Sequence, residues 1–456
     1  MASEDGNPIV RPTTRRDFLK YTGVAGAAVS VGLSGVLAGC GGDNGGGGGD
    51  TAAAETSTGA AGSTEPNGEF KLGTKLGADE MRIWFMGTSF LPRLSQQCNS
   101  IYVETGSGDS FVFDYGSGVS SKYTACGISF GHQDKVFITH LHGDHTSDLI
   151  TLYCFGPAND RKWPLSLYGP SGPTKDQGTD VWGATLKKLM VWHENAFSFL
   201  PTGLKGGKDG YDIITKELPY MKVGTAYDDN GVKITHFPAV HDRDGSISYK
   251  LEWNGLSMIY TSDTRPETVS IQQARNGGKG VDVFIHELVL PPEVVAMKNM
   301  GLTFPDHSAP GFDQALARAE AIVEADHTEP GAFGYLLSQI DPRPQLTVVT
   351  HFWTVDDAVE CALNCVRKHF PEGSYPEFGK DIVWSADLMV LLVKKGKNGK
   401  PPKIEQSMGD VSAYSFVLPQ NVYVPLAPAK YPTPTAQLDT TNLIPPGPDT
   451  YSDNGY

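Results

Sequence analysis

Thr139-His140-Leu141-His142-Gly143-Asp144-His145 follows directly on the apolar run Val136-Phe137-Ile138. His140, His142, Asp144 and His145 all carry metal-binding heteroatoms. Extended backbone places alternate residues on one face, so His140 and His142 can converge on one ion. Gly143 permits a sharp turn after them. Asp144 and His145 then open a helix and can reach a second ion. Imidazoles and carboxylates clustered this densely need an ion or a charge partner when buried. The spacing predicts a metal centre, not scattered structural histidines.

The arrangement recurs further along. His241 ends Phe237-Pro238-Ala239-Val240, Asp263 follows the apolar stretch Leu256 to Tyr260, and His351 closes Val348-Val349-Thr350. In each case a ligand-type residue stands at the C-terminal end of an apolar run. Packing there fixes the rotamer while the tip faces a shared cleft. Strands are expected at 81–86, 101–104, 110–114 and 135–139, and again at 232–237, 247–252 and 256–261. Helices are expected at 312–324 and 356–369, the first with Ala315, Leu316, Ala319, Ile322 and Val323 on one apolar face. Two strand-rich halves, each followed by helices, predict an α/β fold of two packed sheets with helices outside.

The N-terminus reads as an address. Thr14-Arg15-Arg16-Asp17-Phe18-Leu19-Lys20 resembles a twin-arginine export signal, which implies the matching export machinery as a partner. The glycine-rich, weakly apolar Tyr21 to Leu37 has the length of a signal core and not of a membrane span. Leu37-Ala38-Gly39-Cys40 looks like a lipobox, so residues 1–39 are expected as a leader and Cys40 as a lipidated residue. Residues 40–69 are rich in Gly, Ala, Ser and Thr, a flexible tether with too little apolar surface to fold. The expected location is periplasmic or cell-surface, with membrane contact through the lipid alone. A globular body is expected over 70–417, and residues 418–456, rich in Pro, Thr and Asn, as a tail.

Charge narrows the partners. The formal net charge is −15, and the leader, with four basic and three acidic residues, does not account for it. An acidic body gains no counterion-release affinity for a phosphate backbone, which disfavours nucleic acid. Cys98, Cys126, Cys154, Cys361 and Cys365 show no disulfide or metal spacing. Cys361 and Cys365 lie one turn apart on the expected second helix and read as buried small side chains. The sequence leaves the oligomeric state open, a dimer included.

Four blocks carry a resemblance: Phe85-Met86-Gly87-Thr88, Thr139 to His145, Tyr260-Thr261-Ser262-Asp263-Thr264-Arg265-Pro266, and Val349-Thr350-His351-Phe352. Over residues 81 to 395 the chain resembles a metallo-β-lactamase-fold hydrolase, nearest the ribonuclease Z and arylsulfatase branch. That resemblance implies an αββα sandwich with a binuclear site at the sheet edge. By position it implies that His140, His142 and His241 hold one metal, that Asp144, His145 and His351 hold the other, and that Asp263 bridges. Ile285-His286-Glu287-Leu288 and Asp326-His327-Thr328-Glu329 resemble two further motifs of the ribonuclease Z branch. They imply that Glu287 orients His327, which gives a proton to the leaving group. The chain departs from the branch at Leu288-Val289, at Thr328-Glu329 and at Trp353, changes that leave the implied metal site intact but break the basis for carrying over the branch's substrate.

The implied chemistry is that of two cations roughly 3.5–4 Å apart that lower the pKa of a shared water, so that metal-held hydroxide attacks. Asp144 can accept a hydrogen bond from that nucleophile while ligating. A His and carboxylate set without cysteine suits two Zn²⁺, with Mn²⁺ or Fe as alternatives. The expected function is hydrolysis of a small-molecule sulfate or phosphate ester, arylsulfatase-like or phosphodiesterase-like. The alternatives are a lactone or amide hydrolase on the same site and a non-catalytic metal-binding lipoprotein. Residues 155–230 are expected as an insertion or cap, with the aromatic stretch Trp192 to Leu200 lining a pocket or packing on the sandwich. Lys205 and Lys208 only faintly echo the basic arm that grips tRNA in that branch.

Overall fold

Short runs of Val, Ile, Phe and Tyr between turn residues lay down β1 (Glu80–Gly87), β2 (Ser100–Thr105), β3 (Ser110–Phe113), β4 (Lys135–Phe137), β5 (Leu165–Pro170) and β6 (Ile213–Leu218). The second group is β7 (Gly224–Asp229), β8 (Val232–Pro238), β9 (Ile247–Trp253), β10 (Leu256–Tyr260), β11 (Val283–Glu287), β12 (Leu346–Thr350) and β13 (Ile382–Trp384), after which the chain returns through β14 (Met389–Lys394) and β15 (Lys403–Met408). The computed structural model describes residues 75–197, 209–352, 358–371, 373–374 and 376–409. The expected leader, tether and tail, with Trp353, Lys205 and Lys208, lie outside the described residues.

One sheet has the order β15-β14-β1-β2-β3-β4-β5-β6 and the other β13-β12-β11-β10-β9-β8-β7. In each sheet one flank is parallel, β3 to β6 in the first and β10 to β13 in the second. Period-two alternation turns Met81, Ile83 and Phe85 of β1 and Leu391 and Val393 of β14 inward. They meet Tyr249, Leu251, Met258 and Ile285 in the apolar layer between the sheets.

Between β3 and β6 the chain passes through α1 (Val119–Ala125), α2 (Gly143–Thr146), α3 (Leu149–Phe155), α4 (Thr179–Leu189) and α5 (Val191–Ala196). After β10 come α6 (Thr268–Arg275), α7 (Pro292–Asn299), α8 (Phe312–Asp326), α9 (Pro330–Ser338) and, beyond β12, α10 (Ala358–Arg367). Ala274, Val294, Phe333, Leu337 and Ala362 bury the outer face of the second sheet beneath these later helices. Sheets inside and helices outside make the expected αββα sandwich. On α8 the buried residues are Phe312, Ala319 and Val323, while Ile322 is 59% exposed, so the apolar stripe is narrower than the sequence suggested. Cys361 and Cys365 on α10 are half-buried, not buried.

The stretch 155–230 is not a separate cap. It supplies β5 and β6 to the first sheet and β7 to the second. The reason lies in its side chains: Leu165 and Leu167 are fully buried on β5, and β6 pairs in parallel with β5 from Ile213 to Leu218. Gly183 lets α4 lie close on β6, since a Cβ there would stand 2.8 Å from the Thr215 Cγ2. The Thr179 hydroxyl donates to the Pro170 carbonyl at 3.0 Å, and the Asp180 amide donates to Glu217 at 3.0 Å. These contacts pin the start of α4 to the ends of both strands.

Candidate metal centre

The parallel flanks end at one rim, and the seven expected ligand residues gather there. β4 stops at Phe137, so His140 and His142 sit on the extended loop beyond the strand and not on the strand itself. They converge nevertheless, with His140 Nε2 and His142 Nδ1 3.0 Å apart and His241 Nε2 3.2 Å from His142 Nδ1. Gly143 begins α2 with His142 at the cap position, and a Cβ there would meet nothing within 4 Å. The turn therefore does not require glycine.

A second group abuts the first. Asp144 Oδ2 lies 3.1 Å from His145 Nε2 and 3.3 Å from His351 Nε2. Asp263 stands between the groups. Its Oδ1 is 3.3 Å from His145 Nε2, and its Oδ2 is 3.1 Å from His351 Nε2, 3.8 Å from His241 Nε2 and 3.9 Å from His140 Nε2. The sets His140–His142–His241 and Asp144–His145–Asp263–His351 each have the compactness needed to hold one ion.

Electrostatics suit a cation at this place. Burial, reinforced by the neighbouring imidazoles, holds His140 well below the usual histidine range and also lowers His142. Both therefore present lone pairs. Burial opposes the charged form of His145 and His351 too, but the carboxylates of Asp144 and Asp263 outweigh it, raising His145 strongly and His351 to about 10. Burial likewise works against ionised Asp263, and the facing His351 and His145 overcome it and keep the carboxylate well below its usual range. Asp263 Oδ1 is buried and accepts no well-directed hydrogen bond. An orphaned carboxylate oxygen among converging imidazole nitrogens fits a metal.

Further contacts fix the rings. The Asp326 carbonyl lies 2.6 Å from His241 Nδ1 and takes that proton, which leaves Nε2 for the cluster. Asp114, fully buried, accepts from the Thr139 amide at 2.8 Å, from the Thr139 hydroxyl, from the Tyr260 hydroxyl at 2.9 Å and from His145 Nδ1 at 2.8 Å. Sequence reasoning passed over Asp114, although it closes the run Phe111-Val112-Phe113 just as His351 closes its own strand. It also missed Asn99, buried to 1% exposure, whose amide nitrogen lies 3.3 Å from His145 Nε2. No motif signalled that residue. Asp114, Ser262 and His351 have φ of 57°, 54° and 57°. Left-handed backbone is uncommon outside glycine, and here three instances sit just past β3, β10 and β12 at one rim.

Glu287 ends β11, fully buried. Its carboxylate accepts from the Thr264 amide at 2.7 Å and holds His327 Nδ1 at 3.0 Å. The Thr328 hydroxyl ties that segment to the Thr264 carbonyl at 2.6 Å. Burial would lower His327, yet Glu287 raises it above the ordinary imidazole value. Its ring centroid lies 5.1 Å from that of His241 and 5.2 Å from that of His351. Trp192, one of the aromatic residues expected to line the pocket or pack on the sandwich, is 80% exposed. The cavity beside the cluster is lined by Trp182 of α4 instead.

The chain is similar to several known proteins. Residues 81–306 match the family described as anti-Pycsar protein Apyc1, and residues 12–32 match the twin-arginine translocation pathway signal sequence. The chain is 34% identical over 244 residues to a ribonuclease Z of Natronomonas pharaonis, covering 45% of this chain and 74% of that protein. Among solved structures it is similar to the metallo-β-lactamase-fold protein YhfI of Bacillus subtilis, at 13% identity and a TM-score of 0.44 over 72% of this chain and 100% of that one. The short form of human tRNase Z gives 17% and 0.43 over 68% and 98%. With a ribonuclease Z relative 34% identical and aligned over 74% of its length, and with a rim of residues that could hold metal, the chain belongs to the ribonuclease Z family of metal-dependent hydrolases with the metallo-β-lactamase fold.

Proposed function

We propose that this protein is an exported phosphodiesterase acting on small esters. His140, His142 and His241 would hold one zinc ion, Asp144, His145 and His351 a second, and Asp263 both. Bound there, the pair supplies a Lewis acid and lowers the pKa of water from about 15.7 toward 7. A donor set of imidazole and carboxylate without thiolate favours zinc.

The observation that carries the reading is Glu287 against His327 Nδ1 at 3.0 Å, beside the ligand cluster. The contact fixes the ring and favours its protonated form, so His327 can give a proton from Nε2 to a departing oxygen. Alkoxide leaving groups need that proton, which favours phosphodiesters over aryl sulfates. The ribonuclease name of the relative points the same way, whereas the acidic body speaks against a polynucleotide substrate. Export rests on the twin-arginine signal. Cys40 would carry the lipid and residues 40–69 the tether. Among the described residues no helix is long and apolar enough to cross a membrane.

Rates of purified, zinc-loaded protein on an aryl phosphodiester, an aryl sulfate and a lactone test the reading. The phosphodiester is expected to turn over fastest. Faster turnover of the sulfate or the lactone would overturn it.

A further inference from the structure

A cavity of about 420 Å³ opens beside His140, His142 and His241 and runs along the start of α4. Leu141, Val181 and Trp182 give it apolar surface, while Arg243 and Gln177 add a polar pair in which Arg243 Nη2 donates to Gln177 Oε1 at 3.3 Å. Trp182 is half-buried. It packs against the cluster of Tyr153, Leu186 and Tyr211, and α4 itself is pinned to β5 and β6. A half-buried ring that packs on one side-chain cluster and also lines a cavity is already partly ordered, so it loses little entropy when a ligand stacks on it.

We propose that this cavity is a subsite for a flat, uncharged aromatic substituent of the ester, stacked on Trp182. The inference rests on the functional reading above and adds the substrate class. A phosphoryl group at the ligand cluster would place one substituent in or beside the cavity, because His140, His142 and His241 are among its lining residues. The volume suits a group of one or two rings, since small-molecule clefts run from about 300 to 1,000 Å³. Charge selects further. Arg243 is the one Lys or Arg among the described lining residues and is engaged with Gln177, while Asp176 and Asp244 also line the space. Two carboxylates against one guanidinium leave the space net acidic, which disfavours a second phosphate.

The test is calorimetric binding of phenylphosphonate and methylphosphonate to zinc-loaded protein, with metal content measured for every variant. Stacking on one aromatic ring favours a ligand by roughly 10–100-fold, so phenylphosphonate is expected to bind that much more tightly. Trp182→Ala should bring the two ligands within about 3-fold while methylphosphonate affinity holds, and Trp182→Phe should keep the preference. Thr185→Phe, at an exposed position lining the same cavity, should weaken only phenylphosphonate, which covers the case in which Trp182→Ala fails to fold. No phenyl preference in the wild type, or an unchanged preference in Trp182→Ala and Thr185→Phe, overturns the subsite. Phenyl preference without any methylphosphonate binding would overturn the metal-centred reading and leave the subsite standing.

Discussion

Glu287 lies fully buried with its two carboxylate oxygens 3.0 and 3.1 Å from His327 Nδ1. Such a bond fixes one ring nitrogen and leaves the other to act. If His327 is the proton donor, its removal must hurt poor leaving groups most. His327→Ala is expected to slow an alkyl phosphodiester by about 10²–10⁴-fold and a nitrophenyl diester far less, with metal content unchanged. Glu287→Gln should show the same dependence on leaving group, because an unoriented imidazole is a poorer donor. Equal losses on both substrates would assign His327 to substrate binding instead.

Asp263 reaches both ligand groups, with Oδ1 toward His145 and Oδ2 toward His351, His241 and His140. Asp263→Ala should therefore weaken both metal equivalents together. Elemental analysis after dialysis checks it, and loss of one equivalent with the other tightly kept would contradict a bridging role.

Asp114 touches no proposed substrate position, yet it holds His145 Nδ1 and the Thr139 hydroxyl. Partners of this kind typically contribute about 10–100-fold to metal affinity. Asp114→Asn is expected to lower zinc affinity by that factor in a competitive chelator titration. Affinity equal to wild type would reduce Asp114 to a packing residue.

Gly87 explains the first of the four sequence blocks sterically. A Cβ at this position would stand 1.7 Å from the Cys98 carbonyl oxygen. Backbone cannot yield as a flexible side chain does, so Gly87→Ala should destabilise the fold by about 2–4 kcal/mol in urea denaturation. A change within about 0.5 kcal/mol would mean that the β1–β2 junction relaxes freely.

Replacing Arg15 and Arg16 together by Lys is expected to trap the folded protein inside the cell, and Cys40→Ala to release it or leave an unprocessed precursor. Fractionation of both forms decides each point, and a Cys40 variant that sediments with membranes like wild type would remove the lipid anchor.

The strands and the residues that cluster at the rim were legible because both follow simple periodicities. Six-residue stretches, apolar or alternating, marked β1, β8, β9 and β10 within a residue or two. A ligand-type residue after each run marked His241, Asp263 and His351. The same rule applied to Phe113 would have found Asp114, which was passed over because a lone Asp beyond a strand looks like any turn residue. Asn99 was not legible at all, since it reaches His145 through a fold-wide approach that no local pattern encodes. The stretch 155–230 was misread for a related reason: the open positions of its later strands carry polar residues, Lys216 on β6 and Thr225, Asp228 and Asp229 on β7. The aromatic residue that lines the cavity, Trp182, sits amid an ordinary amphipathic helix, while the conspicuous Trp192 faces solvent.

The proposed ligands are drawn from both sheets: His140, His142, Asp144 and His145 follow β4 in one, and His241, Asp263 and His351 follow β8, β10 and β12 in the other. An ion seated among them would act as a clasp across the sandwich, so affinity for metal and adhesion of the two halves become one quantity. For a chain carrying a twin-arginine signal, whose cargo folds before it crosses the membrane, this fixes the order of events. The clasp would then close before export, under the cytosol's metal supply. On the proposed reading the ion would be selected where the chain folds, before export.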